Sequence, residues 1–241
     1  MIHKTLGIIL HTTKYSDTSL IIQAYTRNFG LQSYIINDVR SKRSKNKASL
    51  FQPLAIVNLV VSNTNKAKLQ RISEISIHHP YISIPYNVTK SAVAMFINEI
   101  IYKAIKEDNG DEELFEFLQN SLMLLDLKTD NCANFHIYFM IHLSRYLGFY
   151  PQGKYTDSTS IFDLREGSFV QNITLHPHFL TAPDSILLNN FIVAGSTNYE
   201  QLKLTKEQRK QLLMALITFY RLHVTSFGEI KSYSILEEVV A

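Results

Sequence analysis

Hydrophobic positions in the first third of the chain fall in five short runs parted by polar turn-formers. TLGIILHTT, SLIIQAYT, LQSYIIND, LAIVNLVVS and KLQRISEISI are rich in β-branched and aromatic residues, the types that suit a pleated, half-buried surface. Ser16-Asp17, Asn28-Phe29-Gly30 and Ser62-Asn63-Thr64-Asn65 separate them, and each is a set of residues that favours a turn. Five strands of this length predict a small barrel. The longest connection lies between the third and fourth, roughly residues 39 to 53, and closes at Pro53.

After His78-His79-Pro80 and the irregular YISIPYN the spacing becomes helical. Asp111 stands where an N-cap would, ahead of Leu114, Phe115, Leu118, Leu122 and Leu125, which recur every three or four residues. Thr205 and Gln208 have the spacing of a capping box, ahead of Leu212, Leu216, Phe219 and His223. Residues 89 to 107 and about 133 to 147 read as helices on the same grounds. Residues 150 to 175, with Pro151, Gly153 and Gly167, read as loop or hairpin. There is no internal repeat and no low-complexity linker. The predicted class is α+β: a five-stranded barrel over 1–80, then a mainly helical domain over 81–241.

The 241 residues are 46% hydrophobic, enough to build a core. No apolar run reaches the length of about 18 residues that a membrane span needs, and the apolar stretch in MIHKTLGIILHTTKYSD is too short and poorly flanked for a signal peptide. A soluble cytoplasmic location and no membrane partner are therefore expected. Cys132 is the single cysteine, so no internal disulfide and no thiolate cluster for structural zinc can form. The net charge of +3 hides a division: residues 1–80 hold eleven Lys/Arg against three Asp/Glu, a net of +8, and the remaining 161 residues carry −5. Such asymmetry points to two units with different partners, the basic one facing a polyanion, with nucleic acid the first candidate.

ILHTTKYSDTSLIIQAYTRNFG at 9–30, VRSKRSKNKASLFQPL at 39–54 and KLQRISEI at 68–75 resemble, in order and spacing, the opening domain of the bacterial recombination mediator family RecO. RYLGFYP at 145–151, FDLREGSF at 162–169 and RLHVTSFGEIKSYSIL at 221–236 continue the likeness over nearly the whole chain. Each motif alone is weak; their succession carries the resemblance. It implies an N-terminal oligonucleotide-binding (OB) barrel and a helical C-terminal domain. It also implies binding and annealing of DNA, single-stranded and double-stranded, partnership with RecR, and loading of a recombinase onto strands coated by single-stranded-DNA-binding protein. Many members bind zinc through four cysteines after the LGF-x-P segment. YPQGKYTDSTSIFDLREGSFVQN has none, and no zinc or other cofactor is expected. The preceding helix also departs from the family wording, reading Phe139-Met140-Ile141-His142-Leu143.

Arg40, Lys42, Arg43, Lys45 and Lys47 fall within eight residues of the longest barrel loop, and Arg27, Lys66, Lys68 and Arg71 add the same sign. In OB barrels, loops and one strand face form the binding surface, and long cations that neutralise phosphates suit it. A solvated loop is the bland alternative, and a nuclear localisation signal sits badly with a bacterial family. Tyr15, Tyr25, Phe29, Tyr34 and Phe51 could stack on bases, with a core position the commoner fate of any one. His78-His79 and His176-Pro177-His178 lack a ligand-pair spacing and read as surface histidines. No nucleophile elbow and no G-x-x-x-x-G-K loop occurs, so the chain does not read as an enzyme. On the helical side, Arg145, Lys206, Arg209, Lys210 and Arg221 are the cations available to rim an apolar groove. Under the resemblance that groove would take the acidic, hydrophobic-ended tail of the single-stranded-DNA-binding protein; otherwise these are solvated helix charges. A protein-interaction adaptor dominated by the helical domain is the competing reading.

Overall fold

The computed structural model describes all residues except 38, 40–47, 64–68, 107–108, 130–131, 173–174 and 241. Five strands come first: β1 (Ile2–Lys14), β2 (Leu20–Thr26), β3 (Gly30–Ile36), β4 (Ile56–Ser62) and β5 (Gln70–His79). Helices α1 (Val88–Ala104), α2 (Glu112–Leu127) and α3 (Phe135–Tyr146) follow, then three short strands, β6 (Ile161–Asp163), β7 (Ser168–Val170) and β8 (Phe179–Leu180). Helices α4 (Ala182–Asn198), α5 (Lys206–His223) and α6 (Tyr233–Val240) complete the chain. Two compact units result, one of Met1–Pro85 with Ile105–Leu127 and one of Tyr86–Ala104 with Lys128–Ala241.

The first five strands close a barrel in the order β1-β2-β3-β5-β4, the arrangement expected for an OB fold. Closure depends on β1, which pairs along its second half with β2 and along its first half with β4. Gly7 belongs to both ladders, opposite Thr26 and Val57. A Cβ at Gly7 would lie 2.7 Å from Leu59 Cδ1, so a larger residue there would push the buried Leu59 side chain aside. A bulge between Ile9 and His11 bends β1 from one ladder into the other. Inside, Ile9, Ile22, Tyr34, Val57, Leu59 and Ile72 are buried in one apolar cluster.

The barrel unit includes α2, which starts as its sequence predicts: the Asp111 carboxylate accepts from Leu114 N–H at 3.0 Å. Ahead of it, a Cβ on Gly110 would lie 2.6 Å from the backbone of Asn28, so a glycine lets this segment lie against the β2–β3 turn. Tyr25 stacks on Phe115 of α2, ring centroids 6.4 Å apart. At the far end, buried Asp126 accepts from the N–H groups of Ile82, Ser83 and Ile84, each at 2.9 Å. Burial alone would raise its pKa, but these backbone donors and the Ser83 hydroxyl hold it below the usual carboxylate value.

In the second unit α1 packs against α6, and α3 against α4 and α5. The capping box at Thr205 and Gln208 is present on both sides. Strands β7-β6-β8 form a small sheet, so the expected hairpin is extended by a third strand. Helix α4 has no clear signature in the hydrophobic pattern of the sequence.

Candidate functional site

Seven of the expected DNA-contacting cations, Arg40, Lys42, Arg43, Lys45, Lys47, Lys66 and Lys68, lie outside the described residues. Their anchors are described. Tyr34 and Ile35 of β3 pair in parallel with Gln70 and Arg71 of β5. In the sequence, residues 40–47 follow β3, and residues 66 and 68 precede β5. β3 and β5 thus meet in a short seam, while Val39, the last described residue before 40–47, donates its N–H to the Thr18 carbonyl of the β1–β2 connection at 3.0 Å. Exposed Arg71 sits in that seam, where Ile36, Asn37 and residues 71–75 line an open polar groove of about 620 Å³.

Arg27 has another partner. At the β2–β3 turn its guanidinium bonds Glu112 through Nε at 2.9 Å and through Nη2, and Nη2 also meets Glu116 at 2.9 Å. Two carboxylates in the first turns of α2 thus neutralise it, and it is withdrawn from the set proposed to hold phosphates. Of the five aromatics, Tyr15 is 62% exposed. Tyr25, Tyr34 and Phe51 are buried, and Phe29 packs against the barrel core and makes a T-shaped contact with His3. Burial pushes the Tyr34 phenol up to about 12.

In the helical unit the structure brings together three of the five expected cations. Lys206, Arg209 and Lys210 line a cavity of about 240 Å³ whose walls include Leu213, Leu236 and Val240. Arg209 is braced: its Nε donates to Asn134 Oδ1 at 3.1 Å, and the other guanidinium nitrogens reach the carbonyls of Leu204 and Val240 at 3.4 and 3.5 Å. Lys210 Nζ lies 2.6 Å from Glu237 Oε1. His136, 1% exposed, also lines this cavity, and neither ring nitrogen has a hydrogen-bond partner among the described residues. Burial, helped by the nearby charge of Arg209, lowers its pKa to about 3, so the imidazole is neutral at pH 7. Arg145 and Arg221 are elsewhere. Arg145 lies over the Tyr150 ring, 4.6 Å from its centroid, and Arg221 Nε donates to the Gly228 carbonyl at 3.1 Å.

The chain matches Recombination protein O N terminal over residues 1–81 and Recombination protein O C terminal over residues 85–233. It is 36% identical over 243 residues to DNA repair protein RecO of Bacteroides fragilis and 33% identical over 239 residues to that of Azobacteroides pseudotrichonymphae, with 99% of both chains covered each time. To DNA repair protein RecO of Flavobacterium psychrophilum it is 35% identical over 237 residues, 98% of each chain. The chain belongs to the RecO family.

A zinc site of the kind known in RecO proteins does not fit here. The small sheet is filled by Phe162 against Phe169, centroids 5.0 Å apart, and by Leu164 and Leu180. Asp163, buried, uses one oxygen to accept from the N–H groups of Arg165 and Glu166, and the other lies 3.3 Å from His176 Nε2. Among the described residues no group of three His, Cys, Asp or Glu could hold a metal ion, and Cys132 is buried ahead of α3. Among them, too, no helix is long and apolar enough to cross a membrane.

Sequence reading missed His136, Tyr233, Glu237 and Val240 in this RecO chain's cavity. Leu236 and Val240 have the i, i+4 spacing of a buried helical stripe, a signal available in the sequence. Nothing local marked His136.

Proposed function

We propose that this chain is a non-enzymatic mediator of DNA repair and recombination that binds and anneals DNA through its barrel and recruits protein partners through its helices. The observation that carries the reading is the segregation of charge: +8 on residues 1–80, which hold the five barrel strands and their connections, in a chain of the RecO family. Lysines and arginines held near one another displace the counterions of single-stranded or double-stranded DNA, and a neutralised strand can then approach its complement. Of the five aromatics considered, Tyr15 in the β1–β2 loop is the exposed one, and a base stacked on it would add about 1–3 kcal/mol. The proposed division assigns DNA to residues 1–80 and protein partners to 81–241.

The apolar cavity rimmed by Lys206, Arg209 and Lys210 suits a peptide that ends in acidic and then hydrophobic residues. On this reading its ligand is the tail of single-stranded-DNA-binding protein; RecR is a further partner, and the work is done in the bacterial cytoplasm at the nucleoid. Fluorescence anisotropy with labelled single-stranded DNA at two salt concentrations tests the core of the proposal. Binding that weakens steeply with salt is expected. Absence of DNA binding by a folded, peptide-binding protein would leave the adaptor reading in its place.

A further inference from the structure

The last helix carries acidic and apolar side chains of the kind the neighbouring cavity would receive from a partner. In Leu236-Glu237-Glu238-Val239-Val240, Leu236 and Val240 are buried, 1% and 8% exposed, and both line the cavity. Glu237, between them, reaches the Lys210 ammonium at 2.6 Å. We propose that Glu237 is an internal occupant of the cationic rim: it holds Lys210 in the free protein, and a peptide must offer carboxylates that displace it. Glu237 thereby sets which peptides enter. This rests on the reading of the cavity as an acidic-peptide site.

Three observations support an exchangeable pair. The Lys210 and Glu237 side chains are 49% and 34% exposed, so water and a competing carboxylate reach both. Lys206, exposed on the same rim, has no ion pair among the described residues and can receive the first carboxylate of an arriving chain. Finally, α6 does not depend on Glu237 for its place. Its start is held by Glu99 of α1, which accepts from Ser232 N–H at 2.8 Å, Ser232 Oγ at 2.6 Å and Lys231 N–H at 3.0 Å. Releasing Glu237 therefore frees Lys210 without freeing the helix.

The test uses the full chain and a fluorescein-labelled peptide of four aspartates followed by two leucines, titrated by anisotropy. Glu237→Gln should tighten binding about two- to fivefold, the range a solvent-exposed ion pair commands. Glu238→Gln, which removes the same charge one position on, should change affinity less. On a Lys210→Ala background Glu237→Gln should have a clearly smaller effect, because the ammonium it pairs with is gone and only its weaker interaction with Lys206 is left. Glu237→Asp, which keeps the charge and shortens its reach, provides a second, intermediate variant should the amide disturb α6. Equal peptide affinity in wild type, Glu237→Gln and Glu237→Asp would overturn the proposal and leave the peptide site standing. No peptide binding to any of the proteins would overturn both.

Discussion

The two units use their charged side chains differently. In the barrel unit, the ionised groups that hold the structure and the cations proposed to hold ligand are separate sets. Asp126 secures residues 82–84, and Arg27 joins the β2–β3 turn to α2, whereas the basic stretches fall in the sequence between β3 and β4 and between β4 and β5. In the helical unit the same residues serve both ends: Arg209 braces α5 and lines the cavity, and Lys210 binds α6 and rims it. Folding and binding should thus separate under mutation in the first unit and move together in the second.

Asp126→Ala is the severest test of the separation. It strands three backbone donors in a buried position, and removing a buried charge from its hydrogen-bond set costs about 3–5 kcal/mol. Urea unfolding should report that loss, while DNA affinity and its salt slope, measured below the transition, stay at wild-type values. Because the folded carboxyl titrates below its ordinary value, its contribution is complete at neutral pH and declines as acid protonates the folded state. A change in salt slope in Asp126→Ala would show that structure and binding are not separate in the barrel.

Arg209→Ala is the matching test in the helical unit. It removes a bond to Asn134 and two long ones to backbone carbonyls, which should cost about 2 kcal/mol. The same substitution should weaken binding of an acidic peptide at temperatures where the protein is folded. Loss of stability with unchanged peptide affinity would give Arg209 a structural role alone.

Most of this arrangement was legible where local rules decide. The five β-rich runs became the five barrel strands, and the capping residues Asp111 and Thr205 each start a helix. Helix α4 was not found, for physical reasons: Asn189, Asn190 and Gly195 are poor helix formers, Gly195 is non-helical with φ 59°, and exposed Ile186 and Val193 blur the buried stripe. Site residues followed the same division. Lys206 and Lys210 could be read from an amphipathic helix, whereas the partners of Arg27 lie 85 and 89 residues away in sequence and no spacing rule reaches them. His136 looked like one more position on a helix; tertiary burial made it an unpartnered imidazole facing a cavity.

That imidazole gives a pH test of the helical unit. Burial lowers the pKa of His136 to about 3 against 6.5 for an ordinary histidine, and partial burial with the nearby charge of Arg145 lowers that of His142 to about 4. Below pH 6.5 the unfolded chain binds protons that the folded chain refuses, so stability falls as pH drops, by up to about 1.4 kcal/mol per pH unit for each group. His136→Phe should remove about half of that slope between pH 6 and 4, read from melting temperatures. An undiminished slope would mean that His136 takes up a proton in the folded state.

The smallest effect on stability, and the clearest test of the barrel side, is expected from Arg40→Ala, Lys42→Ala and Arg43→Ala combined. Phosphate contacts carry little base information, so affinity for single-stranded DNA should fall about equally for all sequences. Each lost contact should make the slope of log affinity against log salt shallower by roughly 0.7, hence by about 2 if all three touch phosphate. Stability should stay within about 0.5 kcal/mol of wild type, as for most surface substitutions, and peptide binding by the helical unit should not change. A folded triple variant with wild-type affinity and an unaltered salt slope would return residues 40–47 to a solvated loop. The +8 charge of the first 80 residues would then have to act through its other cations, Lys66, Lys68 and Arg71 among them.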